Sequence, residues 1–223
     1  MMTETVKTAR APLKDAVIWD WSLRVFHWSA VLLIVLLWWS AENGIMDWHR
    51  RFGLTMLGLL VFRLYWGVAG TKTARFKSFV KGPKAVRAYL REMKRPYVPA
   101  AGHNPLGALS VVALLLVLVL QVGAGLFAVD VDGLESGPLS RFVSFEAGRA
   151  AAEFHETSFN ILLALIVLHV AAIAFYFAVL KTNLVRAMVT GKRAGAESAG
   201  PFPLARFLIG VVIAGAAVAL VQL

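Results

Sequence analysis

Long apolar runs alternate with charged connections along this chain. Five runs stand out, at residues 25–41, 53–69, 106–129, 158–180 and 207–223. A helix that crosses a bilayer needs about 20 mostly apolar residues, with about 17 as the working minimum. The run 106–129 carries no charge, 53–69 contains Arg63, and 207–223 reaches the last residue. These runs are unlike the short alternating strands of a membrane barrel, so no β structure is expected. The pattern predicts an all-α integral membrane bundle of four helices plus a fifth, C-terminal transmembrane helix. Residues 1–190 read as one membrane domain, and 191–223 as a linker with that last helix.

The first run has Lys14 and Arg24 upstream and Ser40 and Ala41 at its end, as a cleaved leader would. Five of the seven tryptophans (Trp19, Trp21, Trp28, Trp38 and Trp39) lie in or beside it, which favours a retained helix. Basic residues then set the orientation. Lys7, Arg10, Lys14 and Arg24 precede or open the first run. The second connection holds Lys72, Arg75, Lys77, Lys81, Lys84, Arg87, Arg91, Lys94 and Arg95 against Glu92 alone. Lys181, Arg186, Lys192, Arg193 and Arg206 follow the fourth run. Between these lie a balanced connection (Arg50 and Arg51 against Glu42 and Asp47) and an acidic one (Asp130, Asp132, Glu135, Glu146, Glu153 and Glu156 against Arg141 and Arg149). The alternation predicts a multi-pass membrane protein with a cytoplasmic N-terminus.

Composition agrees. Hydrophobic residues make up 59% of the 223 and charged ones 16%, whereas soluble domains carry about 25% charged residues. The net charge of +10 follows from topology and anionic headgroups, so nucleic acid is not needed as a partner. With no cysteine, disulfides, thiolate-bound metals and iron–sulfur clusters are excluded. Within the basic connection, residues 83–93 begin with Pro and put Val86, Tyr89, Leu90 and Met93 on one face, as a short amphipathic surface helix would; a solvated loop is the alternative.

The chemistry lies in the histidines His27, His49, His103, His155 and His169. Any one of them could be a hydrogen-bonded core residue, but ionisable groups in spans are costly and mark function. His169 follows His155 by fourteen residues, a rise of about 21 Å with about 40° of rotation. His27 matches His169 in depth. His49, expected just before the second helix, matches His155. Two bis-His haems, one above the other, use all four. One metal ion cannot bridge that separation, and structural zinc sites need more ligands than are present. A proton relay lacks acids between the two levels.

Residues 17–28, Val-Ile-Trp-Asp-Trp-Ser-Leu-Arg-Val-Phe-His-Trp, strongly resemble the start of bacterial cytochrome b561-type membrane cytochromes, a superfamily that includes the b-type subunit of nickel–iron hydrogenases. Further matching stretches are His49-Arg-Arg-Phe-Gly, residues 62–67, Arg75-Phe76, residues 102–107, and the helix from Glu153 through His169. The resemblance covers roughly residues 17–190 and implies a bacterial inner-membrane protein with a four-helix core and two b haems at His27, His49, His155 and His169. The apolar tail departs from the simplest members.

Other residues carry two readings each. Arg63, fourteen residues after His49, either pairs with a haem propionate or an acid, or snorkels to the headgroups. Arg24 and Arg50 or Arg51 either hold propionates or sit in the interface. His103 is assigned to capping or a quinone-side role rather than to iron. Trp19, Trp21, Trp38, Trp39, Trp48 and Trp66 read as an aromatic belt. Gly53, Gly58, Gly123 and Gly125 admit either a porphyrin plane or a neighbouring helix. The expected function is electron transfer between the quinone pool and a redox partner, with a periplasmic c-type cytochrome, another periplasmic redox protein, or quinone–superoxide chemistry all compatible. Whether the protein is itself an enzyme stays open, and an oligomer is allowed. The competing class is a non-redox membrane protein, a metal-binding transporter or an assembly subunit.

Overall fold

The computed structural model describes residues 15–92, 102–196 and 198–223. Strand β1 (Asp15–Val17) leads into helices α1 (Trp21–Glu42) and α2 (Met46–Ala69), and the short helices α3 (Phe76–Phe79) and α4 (Pro83–Glu92) follow. Then come α5 (Pro105–Phe127), a 3-10 turn (Ser140–Phe142), α6 (Phe145–Ala178), α7 (Leu184–Thr190), β2 (Lys192–Ala194) and α8 (Leu204–Leu220). Helices α1, α2, α5 and α6 are long and apolar enough to cross a membrane. Helix α8, at 17 residues, lies at the lower limit for a span.

Caps explain where the helices start. Asp20 accepts from the Leu23 amide at 2.9 Å, Asn104 from Gly107 at 2.7 Å, and Ser144 from Ala147 at 3.2 Å. Pro105 then fills the first turn of α5. The caps start α1 and α6 earlier than the apolar runs do, and α2 also begins earlier, at Met46, without a side-chain cap. His49 therefore lies inside α2 rather than before it. The 34 residues of α6 extend about 51 Å, well past a core of about 30 Å. Its first turns carry Glu146, Glu153 and Glu156, which were expected on a loop.

The long helices pack as two antiparallel pairs, α1 with α2 and α5 with α6, joined through α2 and α5. Helix α8 packs on the outer side of α2. Among the described residues, α6 makes at most marginal backbone contact with α1 and α2. A core of Phe26, Leu33, Met56, Leu60, Leu118 and Leu162 ties the four together.

A two-stranded antiparallel ribbon, absent from the sequence expectation, pairs Asp15 with Ala194 and Val17 with Lys192. It lies outside the spans, where backbone groups have water as an alternative. Gly191 turns α7 into it: φ is +77°, and a Cβ there would sit 2.7 Å from the Trp19 carbonyl oxygen. At the other end, Gly133 turns a small hairpin bridged by Val129 and Ser136. These two landmarks name the ribbon end and the hairpin end of the bundle. Helix α4 is present, with Val86 and Tyr89 half-buried and Tyr89 bonded to the Tyr176 hydroxyl at 2.7 Å. It docks on the bundle as well as lying at its surface. Met93, Lys94 and Arg95, like Lys7, Arg10 and Lys14, lie outside the described residues.

Candidate functional site

At the hairpin end the structure brings His49 and His155 together. Their ring centres are 6.1 Å apart, with planes at 78°. His49 Nδ1 donates to the Leu37 carbonyl at 3.0 Å, and Ser40 Oγ lies 3.4 Å away. His155 Nδ1 donates to the Gln121 carbonyl at 2.8 Å. A ring that spends its Nδ1 proton on a carbonyl keeps the lone pair on Nε2, the tautomer that binds a metal. Gln121 is itself held, its side-chain oxygen accepting from Ser158 Oγ. Gly125 lets the His155 ring lie against α5, since a Cβ there would come within 2.8 Å of it. The segment after α5 folds back over this end through the Gly137 amide to the Ala128 carbonyl and Leu139 to Leu126, both at 2.8 Å.

At the ribbon end, His27 lies on the second turn of α1 and His169 in the second half of α6. The two lie within electrostatic reach of each other. His169 Nδ1 meets Ser110 Oγ on α5 at 3.2 Å. His27 Nδ1 is buried without a partner.

Cationic groups crowd this level. Arg63 is only 2% exposed; it makes a long 3.5 Å bond to the Ala74 carbonyl and lies over the Phe76 ring at 4.9 Å. Its burial rules out snorkelling, and no acid is in ion-pair contact with it among the described residues. Arg24 donates to the Val189 carbonyl at 2.6 Å, yet its Nε is buried and unpartnered, as is that of Arg75. His103 is stacked between Trp19 and Phe79, each ring centre 4.6 Å away. Its Nδ1 also lacks a partner. Burial, with the nearby positive Arg63 as the next cause, pushes the His103 pKa down to about 3. The expected capping role falls to its neighbour Asn104, which bonds Gly107.

Asp20, in the Trp-Asp-Trp-Ser stretch that opens α1, has a role that the sequence does not show. Its buried carboxylate accepts from Ser22 Oγ at 2.6 Å, the Leu23 amide, Trp66 Nε1 at 3.1 Å and Thr71 Oγ1 at 2.6 Å. This network locks the start of α1 to the end of α2. It also removes Trp19 and Trp66 from the aromatic belt: both are buried, whereas Trp21, Trp38, Trp39 and Trp48 are exposed. Glu135 forms an ion pair with Arg50, which also binds Asp47 at 2.6 Å. Of the glycines, Gly58 faces Val218 of α8 at 3.2 Å, a helix contact, while a Cβ on Gly53 or Gly123 would meet nothing within 4 Å.

The family model for prokaryotic cytochrome b561 matches residues 18–191, more than three quarters of the chain. The chain belongs to the prokaryotic cytochrome b561 family. As a prokaryotic cytochrome b561 it is a multi-pass membrane cytochrome of the b type, a haem protein of electron transfer. Helix α8 lies outside the matched segment. No curated protein and no solved structure matches the chain.

The residues present fit such a group. Two imidazoles holding one metal from opposite sides, with metal–nitrogen bonds of about 2 Å, have ring centres about 6 Å apart. Open space at Gly53 and Gly123 and the slight contact of α6 with α1 and α2 leave room for a flat macrocycle. The buried Nε donors of Arg24 and Arg75, without partners, are what a carboxylate-bearing group would satisfy.

Proposed function

We propose that this cytochrome holds two b haems, one at each level, and carries electrons across the membrane between the quinone pool and a redox partner on the far side. His49 and His155 would hold the hairpin-end haem, and His27 and His169 the ribbon-end haem. The observation that supports this most is the His49–His155 pair: 6.1 Å between ring centres, with each Nδ1 spent on a backbone carbonyl. When bound, the haems supply one-electron carriers at two depths.

The chain's own groups orient and balance them. Leu37 and Gln121 fix the imidazole tautomers through their carbonyls. Arg24 and Arg63, joined by Arg75 with its unpartnered Nε, would neutralise carboxylates of the ribbon-end haem, and the neutral His103 would add a hydrogen bond through its unpartnered Nδ1. Arg63 is buried and the His103 ring is enclosed between Trp19 and Phe79, so they suit haem carboxylates better than an exchanging quinone. The positive-inside pattern supports a cytoplasmic ribbon end and a periplasmic hairpin end. The hairpin then faces a periplasmic partner such as a c-type cytochrome.

A metal-ion transporter is the weaker reading. Among the described residues no group of three or more His, Asp or Glu is placed to hold an ion. Haem quantified per chain after haem-replete expression tests the proposal. Two b haems per chain, both reducible by quinol, are expected; colourless protein contradicts it. Reduction by superoxide with quinone as acceptor would move the activity to quinone–superoxide chemistry.

A further inference from the structure

A groove of about 580 Å³ runs between α2 and α8 on the outside of the bundle. That volume lies in the range of ligand sites, roughly 300–1,000 Å³. Its walls are apolar, with Leu54 and Phe62 from α2 and Val211 from α8, and its floor is lowered by Gly58 and Gly215. A Cβ on Gly215 would meet nothing within 4 Å. Polar groups gather at the hairpin end only, where Arg51 and Gln222 close the groove. The groove needs α8, which the family match does not cover.

Arg51 decides what fits. It is exposed, and its guanidinium lies over the Trp48 ring at 5.2 Å. Stacking occupies a face of the guanidinium and leaves its in-plane donors free. Its neighbour Arg50 takes both nearby acids, Asp47 and Glu135, so Arg51 has no ion-pair partner among the described residues. A cation at headgroup level, above an apolar channel running toward the middle of the bilayer, matches a phosphate with an acyl chain attached. A permanently charged guanidinium binds phosphate through two parallel bonds, and it has no proton to exchange with a quinone.

We infer that the α2–α8 groove binds one anionic phospholipid, its phosphate on Arg51 and one acyl chain laid along the groove over Gly215. The lipid would fasten α8 to α2 where Val218 and Gly58 make the protein's own contact.

The test uses the full-length protein in mild detergent, with retained lipid counted by native mass spectrometry. The probes are phosphatidylglycerol and phosphatidylcholine with identical acyl chains. Wild type should retain phosphatidylglycerol preferentially. Arg51→Gln should weaken that retention about tenfold, the loss of one charge-assisted contact, and leave phosphatidylcholine unchanged. Gly215→Leu should lower retention of both lipids by filling the channel. Haem content should be unaltered in both variants, which separates this result from the haem reading. Equal retention of the two lipids by wild type, or no effect of Arg51→Gln, overturns the inference. So does displacement of phosphatidylglycerol by a short-chain quinone at equal concentration, which would assign the groove to quinone.

Discussion

The two ends of the bundle solve the same problem in different ways. At the hairpin end, both imidazoles are held by backbone carbonyls, and no buried arginine is near them in the structure's contacts. At the ribbon end, one imidazole meets a serine hydroxyl and the other has no Nδ1 partner, while Arg63 is a buried cation and the half-buried Arg24 and Arg75 each keep a buried Nε. The hairpin-end pair is organised by hydrogen bonds of the fold itself. The ribbon-end pair sits among arginines, and Arg24, Arg63 and Arg75 are in no ion-pair contact among the described residues. Asp20 is the one buried carboxylate there, and four donors already occupy it. Under the two-haem proposal the pairs, each with one member on α6, would be tuned to unlike potentials, because buried cations favour the reduced, less positive iron.

The largest expected effect is loss of one haem. His49→Ala and His155→Ala should each halve the haem content and remove the same spectral component. His27→Ala and His169→Ala should each remove the other. Next comes Asp20→Ala, which leaves two hydroxyls, an indole N–H and an amide buried without an acceptor. Destabilisation of about 3–5 kcal/mol is expected, read as a fall in melting temperature that Asp20→Asn reproduces only in part. An unchanged melting temperature would show that the α1–α2 lock carries no weight.

Arg63→Leu sharpens the contrast between the two ends. Removing that buried cation should lower the midpoint potential of the ribbon-end haem by about 60 mV, a tenfold change for one electron, and leave the hairpin-end value in place. Equal shifts at both ends would remove the electrostatic distinction. His103 gives a pH signature. Its pKa of about 3 lies below the ordinary 6.5, so between these values the unfolded chain binds a proton that the folded one refuses. Stability therefore falls as pH drops below about 6.5, by about 2 kcal/mol at pH 5 for this one group. His103→Phe, which keeps the stack between Trp19 and Phe79, should flatten that part of the profile in an acid-unfolding series. The smallest effect belongs to Glu135→Gln. Its ion pair with Arg50 is part-exposed, and such pairs contribute about 0–1 kcal/mol.

Much of this was legible in the chain because period and depth are one-dimensional. Apolar runs gave the spans, and fourteen-residue spacing put His155 and His169 on one face of α6. Helix ends were less legible. Polar residues such as Asp47, His49 and Glu153 are compatible with a helix, Asp47 lying in the first turn of α2 and Ser144 capping α6, so both helices begin before their apolar runs do. The ribbon of residues 15–17 and 192–194 could not be read, because it pairs segments far apart in sequence and shows no alternation in three residues. Asp20 shows the same limit: a carboxylate beside a membrane helix looks solvated until Trp66 and Thr71 fold over it. The one available signal was its position in Trp-Asp-Trp-Ser, where an N-cap residue precedes an apolar run. Arg63 was placed at the right depth by spacing, but its burial depends on Phe76 and Ala74, which return from a connection the spacing does not describe.

Haem counted per chain in two double variants tests the central claim most directly. His49→Ala with His155→Ala removes one proposed pair and should leave one haem, at the ribbon end. His27→Ala with His49→Ala removes one ligand from each pair and should leave none. The reverse, one haem left in the second variant and none in the first, would contradict the pairing by depth.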